Sequence, residues 1–285
     1  MTPRSEKRRR LGAGLVVASV LVASALLVAA FTWRSSSTGG SASAAPSPSS
    51  GELGFESIDG AAVPGPVEPA FTPSTPVLLP TSDKLARWAL VRFTVPARSK
   101  PRLDARVVAI VSKRTPEGTS NIVLVLGRKT DKRGRLWIHI RLPVLPNNLT
   151  AWIPRSALGG YGVVRTHLVV DLERLTATLY RNGREILRAD VGVGQSAWPT
   201  PKGQFYIRNK LTGYSSPMYG PLAFGTSARS SVLTDWPAGG YIGIHGTDRP
   251  ELLPGRVSHG CIRLRNAAIL RLAELMPVGT PLTIR

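Results

Sequence analysis

The longest uninterrupted constraint on this chain is a run without a single charge, from Leu11 to Thr32. Arg4, Lys7, Arg8, Arg9 and Arg10 precede it, and Trp33-Arg34 closes it. Twenty-two residues reach about 33 Å as a helix, enough to cross the hydrocarbon core of a bilayer. The basic flank would remain cytoplasmic, with everything after residue 34 on the far side. A cleaved signal peptide is the alternative, and the protein would then be secreted. Its apolar region would be shorter and its cleavage site nearer than "SASAA" at Ser41–Ala45. The expectation is therefore a single-pass anchor over residues 1–34 and an extracytoplasmic remainder.

Residues 35–83 contain no Lys or Arg and are rich in Ser, Ala, Gly and Pro. Prolines 64, 66, 69, 73, 76 and 80 oppose helix and sheet alike, so the segment reads as a disordered, partly extended tether. With these 83 residues set aside, the foldable part begins at Lys84. It keeps the chain's full formal net charge of +20, of which +13 falls within residues 84–160. Such a charge points to a polyanionic partner or surface and says nothing about fold. A nucleic-acid partner is not expected, given the anchor. One cysteine in 285 residues excludes an intrachain disulfide.

The foldable part reads as mainly β. Residues 84–160 hold five apolar, β-branched stretches: 88–95, 105–112, 121–128, 136–142 and 150–157. Turn material such as "PEG", "DKRG" and "PNN" separates them. Five short strands in so few residues suggest a small barrel. His139 falls on a strand surface and receives no role. Residues 161–285 carry further strands. Asn182-Gly183 marks a type I′ hairpin, since both residues tolerate positive φ. "YIGIHGT" reads as a strand ending at His245, and "NAAILRLAELMP" (266–277) as the clearest soluble helix. "TPLTIR" closes the chain with a strand.

Chemistry concentrates in "IGIHGTDRPELLPGRVSHGCIRL", residues 242–264. Here His245 and His259 accompany the lone Cys261. A thiol attacks as its thiolate, so it needs a proton acceptor beside it, and a histidine at a strand end is held in one orientation. His259 lies two residues from Cys261, and Gly260 permits a sharp turn. The N–H groups there are placed to meet a developing oxyanion, as acyl transfer through a thioester requires. Two other readings remain open at this point. One is a zinc site, poorly served by the spacing and by the lack of a second cysteine. The other is a purely structural cluster.

"HGT" followed by "SHGCIRL", with "TPKGQFYI" before them and a terminal helix and strand after, resembles the L,D-transpeptidases, cysteine enzymes of the bacterial cell wall. The resemblance spans residues 164–285 and implies a β-sandwich catalytic domain with a C-terminal helix. The order of strands in 84–160 resembles bacterial SH3-like domains. What the first resemblance implies is specific. Cys261 is the nucleophile. His245 is the base, oriented through its second nitrogen by the carbonyl of Gly246. His259, Gly260 and Cys261 offer N–H groups to the oxyanion, and Ser258 braces the turn. The substrate is a peptidoglycan stem tetrapeptide, which loses D-Ala and is passed to an amine in a 3→3 cross-link, with no cofactor and no metal. The loop 209–238 would cover the substrate, with Tyr214, Met218 and Tyr219 lining it. Arg263, where many relatives have Asn, would meet a substrate carboxylate. Anionic wall polymers would meet the basic SH3-like region. The alternative is a wall-binding protein whose catalytic domain is inactive or acts as an L,D-carboxypeptidase.

Overall fold

A computed structural model describes residues 84–213, 216–234 and 240–285. The expected anchor at 11–32 and tether at 35–83 lie outside the described residues, as does Tyr214. Among the described residues no helix is long and apolar enough to cross a membrane.

The chain first builds a seven-stranded sheet: β1 (Ala86–Val91), β2 (Val95–Arg98), β3 (Val107–Val111), β4 (Ile122–Thr130), β5 (Leu136–Arg141), β6 (Thr150–Pro154) and β7 (Leu158–Val164). The order is β3-β2-β6-β5-β4-β1-β7, with every pairing antiparallel. Two features depart from the five expected strands. The stretch 88–95 is two strands rather than one. It bends at Arg92–Thr94, where Arg92 N–H leaves the β1 ladder and donates to Ala157 O. The glycine-rich β7 is a further strand, paired to β1 as far as Ala86↔Val164. Its glycines have a packing reason: a Cβ at Gly162 would stand 2.2 Å from the Trp88 ring. Trp137 is fully buried and donates its indole N–H to Asp131, whose carboxylate also accepts from Arg133 and Arg135 N–H and so closes the β4–β5 turn.

The second sheet has ten strands: β8 (Thr166–Asp171), β9 (Thr176–Arg181), β10 (Arg184–Asp190), β11 (Gly192–Gly194), β12 (Gly203–Thr212), β13 (Leu222–Arg229), β14 (Tyr241–His245), β15 (Gly255–Ser258), β16 (Ile262–Arg263) and β17 (Pro281–Ile284). Their order is β10-β9-β8-β17-β12-β13-β14-β16-β11-β15. The β9–β10 hairpin turns at Asn182 (φ 53) and Gly183 (φ 80), the two positive φ values that a type I′ turn requires. Strand β12 serves two neighbours. Its first half, Gly203–Tyr206, pairs with β17, and its second half, Ile207–Thr212, pairs with β13. Phe205 and Ile207 of β12, Phe224, Ile244 and Leu282 form one apolar core with Ile269 and Leu272 of α1 (Asn266–Leu275). The helix stops two residues before Pro277. The stretch 209–238 is not one loop. Asn209–Thr212 and Leu222–Arg229 are paired strand, joined by a short connection that includes the turn Pro217–Tyr219.

The sheets are stitched together by specific contacts. Trp88 lies against Gly279 as well as Gly162, for a Cβ at Gly279 would come within 2.1 Å of its ring. Tyr206 Oη donates to Ile122 O at 3.1 Å. Glu117, in the β3–β4 connection, accepts from Arg208 Nη2 at 2.8 and 3.0 Å and from Asn209 Nδ2 at 3.2 Å. The Arg208 guanidinium in turn stacks over Tyr241, 3.8 Å from the ring centroid.

Candidate active site

Strands β14 and β16 run parallel, in register Ile244↔Ile262 and His245↔Arg263. Alternation along a strand then puts Gly243, His245, Cys261 and Arg263 on one face, with Ile244 and Ile262 pointing into the core. This is how two histidine- and cysteine-bearing segments, sixteen residues apart in sequence, become neighbours. Gly243 keeps the floor between them low. A Cβ there would lie 3.7 Å from Cys261 Sγ and 3.8 Å from His245 Cδ2, and the Gly243 N–H points at the sulfur, 3.4 Å away.

The His245 ring is buried, with Nδ1 2.6 Å from Gly246 O. A carbonyl only accepts, so Nδ1 carries the proton and Nε2 offers its lone pair. Burial depresses the imidazole pKa to about 4; the Gly246 contact opposes this and the nearby Arg263 charge adds to it. Burial likewise raises the Cys261 thiol, against smaller lowering effects of the Gly243 N–H and Arg263. At neutral pH the resting pair is therefore a thiol and a neutral imidazole rather than an ion pair. Such a pair suits general-base activation, in which the proton leaves sulfur as the sulfur attacks.

The turn that carries Cys261 is bonded from within and from behind. Ser258, fully buried, donates its hydroxyl to Cys261 O at 2.6 Å and accepts from Gly260 N–H at 3.1 Å. Gly260 has φ +111, a conformation that L side chains rarely adopt. Its N–H is engaged by the Ser258 hydroxyl, which braces the turn. Behind the turn, Thr200 donates to Gly260 O at 2.7 Å and accepts from Gly194 N–H at 2.9 Å. His259 is exposed and its ring packs on Trp198, centroids 4.2 Å apart. On the other flank, Asn266 Oδ1 accepts from Thr247 N–H at 2.9 Å. It sits so close to Gly246 and Gly220 that a Cβ at either would come within 2.4 Å of it.

Two cavities meet at this pair. One, of about 400 Å³, is lined by Met218, Tyr219, Tyr241, His245, His259, Cys261 and Arg263. Tyr219 sets its edge against the His245 ring, centroids 4.9 Å apart. The other, of about 410 Å³, also reaches His245 and Cys261 and has Glu117 of the first sheet in its wall. Arg263 is half-buried, and its Nε is buried with no hydrogen-bond partner. Among the described residues no group of three or more His, Cys, Asp or Glu side chains is placed to hold a metal ion.

The structure thus brings together Cys261, His245, Gly246, Ser258, Gly260, Arg263, Met218 and Tyr219, and leaves the His259 ring at the rim. Thr200, Asn266, Gly243, Tyr241 and Glu117 were not legible as parts of the site. A loop Thr and an Asn at a helix start carry no motif, and Glu117 arrives from the first sheet's β3–β4 connection.

Residues 165–284 match the family model YkuD, the L,D-transpeptidase catalytic domain. The YkuD protein of Bacillus subtilis (strain 168) is 33% identical over 118 residues, 41% of this chain and 65% of that protein. The YkuD protein of Bacillus licheniformis is 32% identical over 117 residues, 41% of this chain and 64% of that protein. The NMR structure of the catalytic domain from the E. faecium L,D-transpeptidase is 29% identical, covering 42% of this chain and 96% of that one, with a TM-score of 0.32. The chain spans just under two thirds of the length of the curated relatives it matches. The matches support an L,D-transpeptidase catalytic domain in the C-terminal part.

Proposed function

We propose that this protein is a cell-wall L,D-transpeptidase with Cys261 as its nucleophile. The observation that carries the reading is the shared cleft floor. Cys261 and His245 project from adjacent parallel strands, and His245 is fixed by its Nδ1–H on Gly246 O with Nε2 left to accept a proton.

The donor is a peptidoglycan stem tetrapeptide. His245 Nε2 takes the thiol proton as Cys261 Sγ bonds to the carbonyl carbon before the terminal D-Ala. The same proton passes to the departing D-Ala nitrogen as the C–N bond breaks, leaving a thioester on Cys261. An acceptor amine from a neighbouring stem then attacks that carbonyl and yields a proton to Nε2. The C–S bond breaks, and the proton returns to sulfur. The product is a 3→3 cross-link. Arg263, which lines the cavity at Cys261 with its Nε unpartnered, is assigned in this reading to a substrate carboxylate. The two cavities flanking the pair suit two peptide chains approaching one carbonyl. The same reading takes residues 11–32 as a single-pass membrane anchor, the catalytic part as lying outside the cytoplasm, and residues 84–160 as an SH3-like module.

The test is covalent. The full chain incubated with a carbapenem, whose lactam stands in for the scissile amide, gains the drug's mass on Cys261. Cys261→Ala gains none and yields no 3→3 product from tetrapeptide stems. An unmodified wild-type thiol at saturating drug would refute the assignment.

A further inference from the structure

The charge of the first sheet is gathered. Two turns, Lys100–Asp104 and Thr130–Arg135, stand either side of a groove of about 870 Å³. Six cations line it, Lys100, Arg102, Lys129, Lys132, Arg133 and Arg135, against only two carboxylates. Both carboxylates are already engaged. Asp131 closes its own turn through Arg133, Arg135 and Trp137, and Asp104 lies 3.4 Å from Arg102. Lys100, Lys129, Lys132 and Arg133 are exposed. The groove does not end there. A second depression of about 430 Å³ shares Leu103 and Arg135 with it and carries on to Arg155. Neither depression shares a residue with the cavities at Cys261.

We propose that this basic track is a binding site for a linear phosphodiester polymer. Its shape selects the class. The two depressions adjoin at Leu103 and Arg135, so a chain can lie across both, which a single phosphate ion cannot do. Cations spaced along both depressions match charges repeated along a polymer, and release of that polymer's counterions supplies the affinity. No aromatic side chain lines either depression. The stacking platforms that proteins use for single-stranded nucleic acid are therefore missing from the track. The apolar Leu103, half exposed, lies at the junction where an uncharged linker between phosphates would pass. The inference does not depend on the chemistry at Cys261. It assigns the first sheet the task of holding the enzyme on an anionic polymer.

The experiment uses the full chain in neutral phosphatidylcholine nanodiscs and a synthetic poly(glycerol phosphate) as probe. The wild type binds, with affinity falling steeply as salt rises. Lys129→Glu/Lys132→Glu/Arg133→Glu weakens binding at least about tenfold and flattens the salt dependence. Arg174→Glu/Arg184→Glu/Lys202→Glu, with the same change in net charge on exposed residues in and beside the second sheet, stays within about twofold of wild type. Thermal melting checks the fold. Should the Glu triple melt early, the Gln triple at the same three positions replaces it. Equal weakening by both triples would reduce the effect to bulk charge. No binding by the wild type, equal binding of single-stranded poly-dT, or loss of polymer binding when the nanodiscs are made of phosphatidylglycerol would each overturn the proposal.

Discussion

Thr200→Val isolates the support behind the turn that carries Cys261. Thr200 is buried, and its hydroxyl holds two backbone groups at once, accepting from Gly194 N–H at 2.9 Å and donating to Gly260 O at 2.7 Å. Valine has nearly the same shape, so the change opens no cavity and removes only the hydrogen bonds. Gly194 and Gly260 are both buried, so no water replaces the lost partners without rearrangement. A buried backbone group left unpaired costs about 1–3 kcal/mol, and two give a destabilisation on the order of 2–6 kcal/mol. Guanidinium denaturation reads this as a lower midpoint at unchanged slope. The carbapenem acylation rate reads the consequence for Cys261, the next residue. A loosened turn is expected to slow acylation about tenfold, equivalent to about 1.4 kcal/mol at the barrier. Thr200→Ser keeps the hydroxyl and should recover most of both. A stability change below about 0.5 kcal/mol with wild-type acylation would refute the reasoning, because two buried groups would then have lost their partner at no cost.

Three further outcomes follow from the same geometry. His245 is neutral when folded, with a pKa near 4 against 6.5 when unfolded, so the unfolded chain takes up a proton that the folded one refuses. Its stability contribution is complete above about pH 6.5 and is lost as pH falls towards 4, on the order of 3 kcal/mol in all. The difference in denaturation free energy between wild type and His245→Asn across that window measures it, and a flat difference would contradict it. Glu117→Ala leaves the fully buried Arg208 side chain unpaired and is expected to cost about 3 kcal/mol. Glu117→Ala/Arg208→Met, with no charge left stranded, should be more stable than the single variant by denaturation. Gly246→Ala drives a methyl to 2.3 Å from Asn266 Oδ1 and displaces the bond to Thr247. Overpacking of this kind costs about 1–3 kcal/mol, and melting together with acylation should both suffer.

Local signals survived folding where the physics was local. Asn182-Gly183 became a type I′ hairpin because its two positive φ values are a property of those two residues. The 266–277 pattern became a helix because its apolar spacing matches the helical repeat. Local signals misled where a distant partner decided the outcome. The glycines of β7 carry no strand signal, yet they pair with β1, and Gly162 is there to admit Trp88. The 209–238 stretch is a covering loop by the family resemblance, yet cross-strand pairing makes Asn209–Thr212 and Leu222–Arg229 strand.

The site divides in the same way. Residue chemistry alone singled out Cys261 and His245, because a thiol and an imidazole in glycine-flanked turns are rare enough to be noticed without coordinates. Only the tertiary structure put them on one face of a parallel strand pair. Only it turned Gly260 N–H towards Ser258, set Thr200 behind the turn, and brought Glu117 across from the first sheet to the cavity wall. The reason is physical. Reactivity belongs to a side chain and is written in its identity. Alignment, burial and the satisfaction of buried polar groups belong to pairs of segments, and those pairs exist only once the chain has closed on itself.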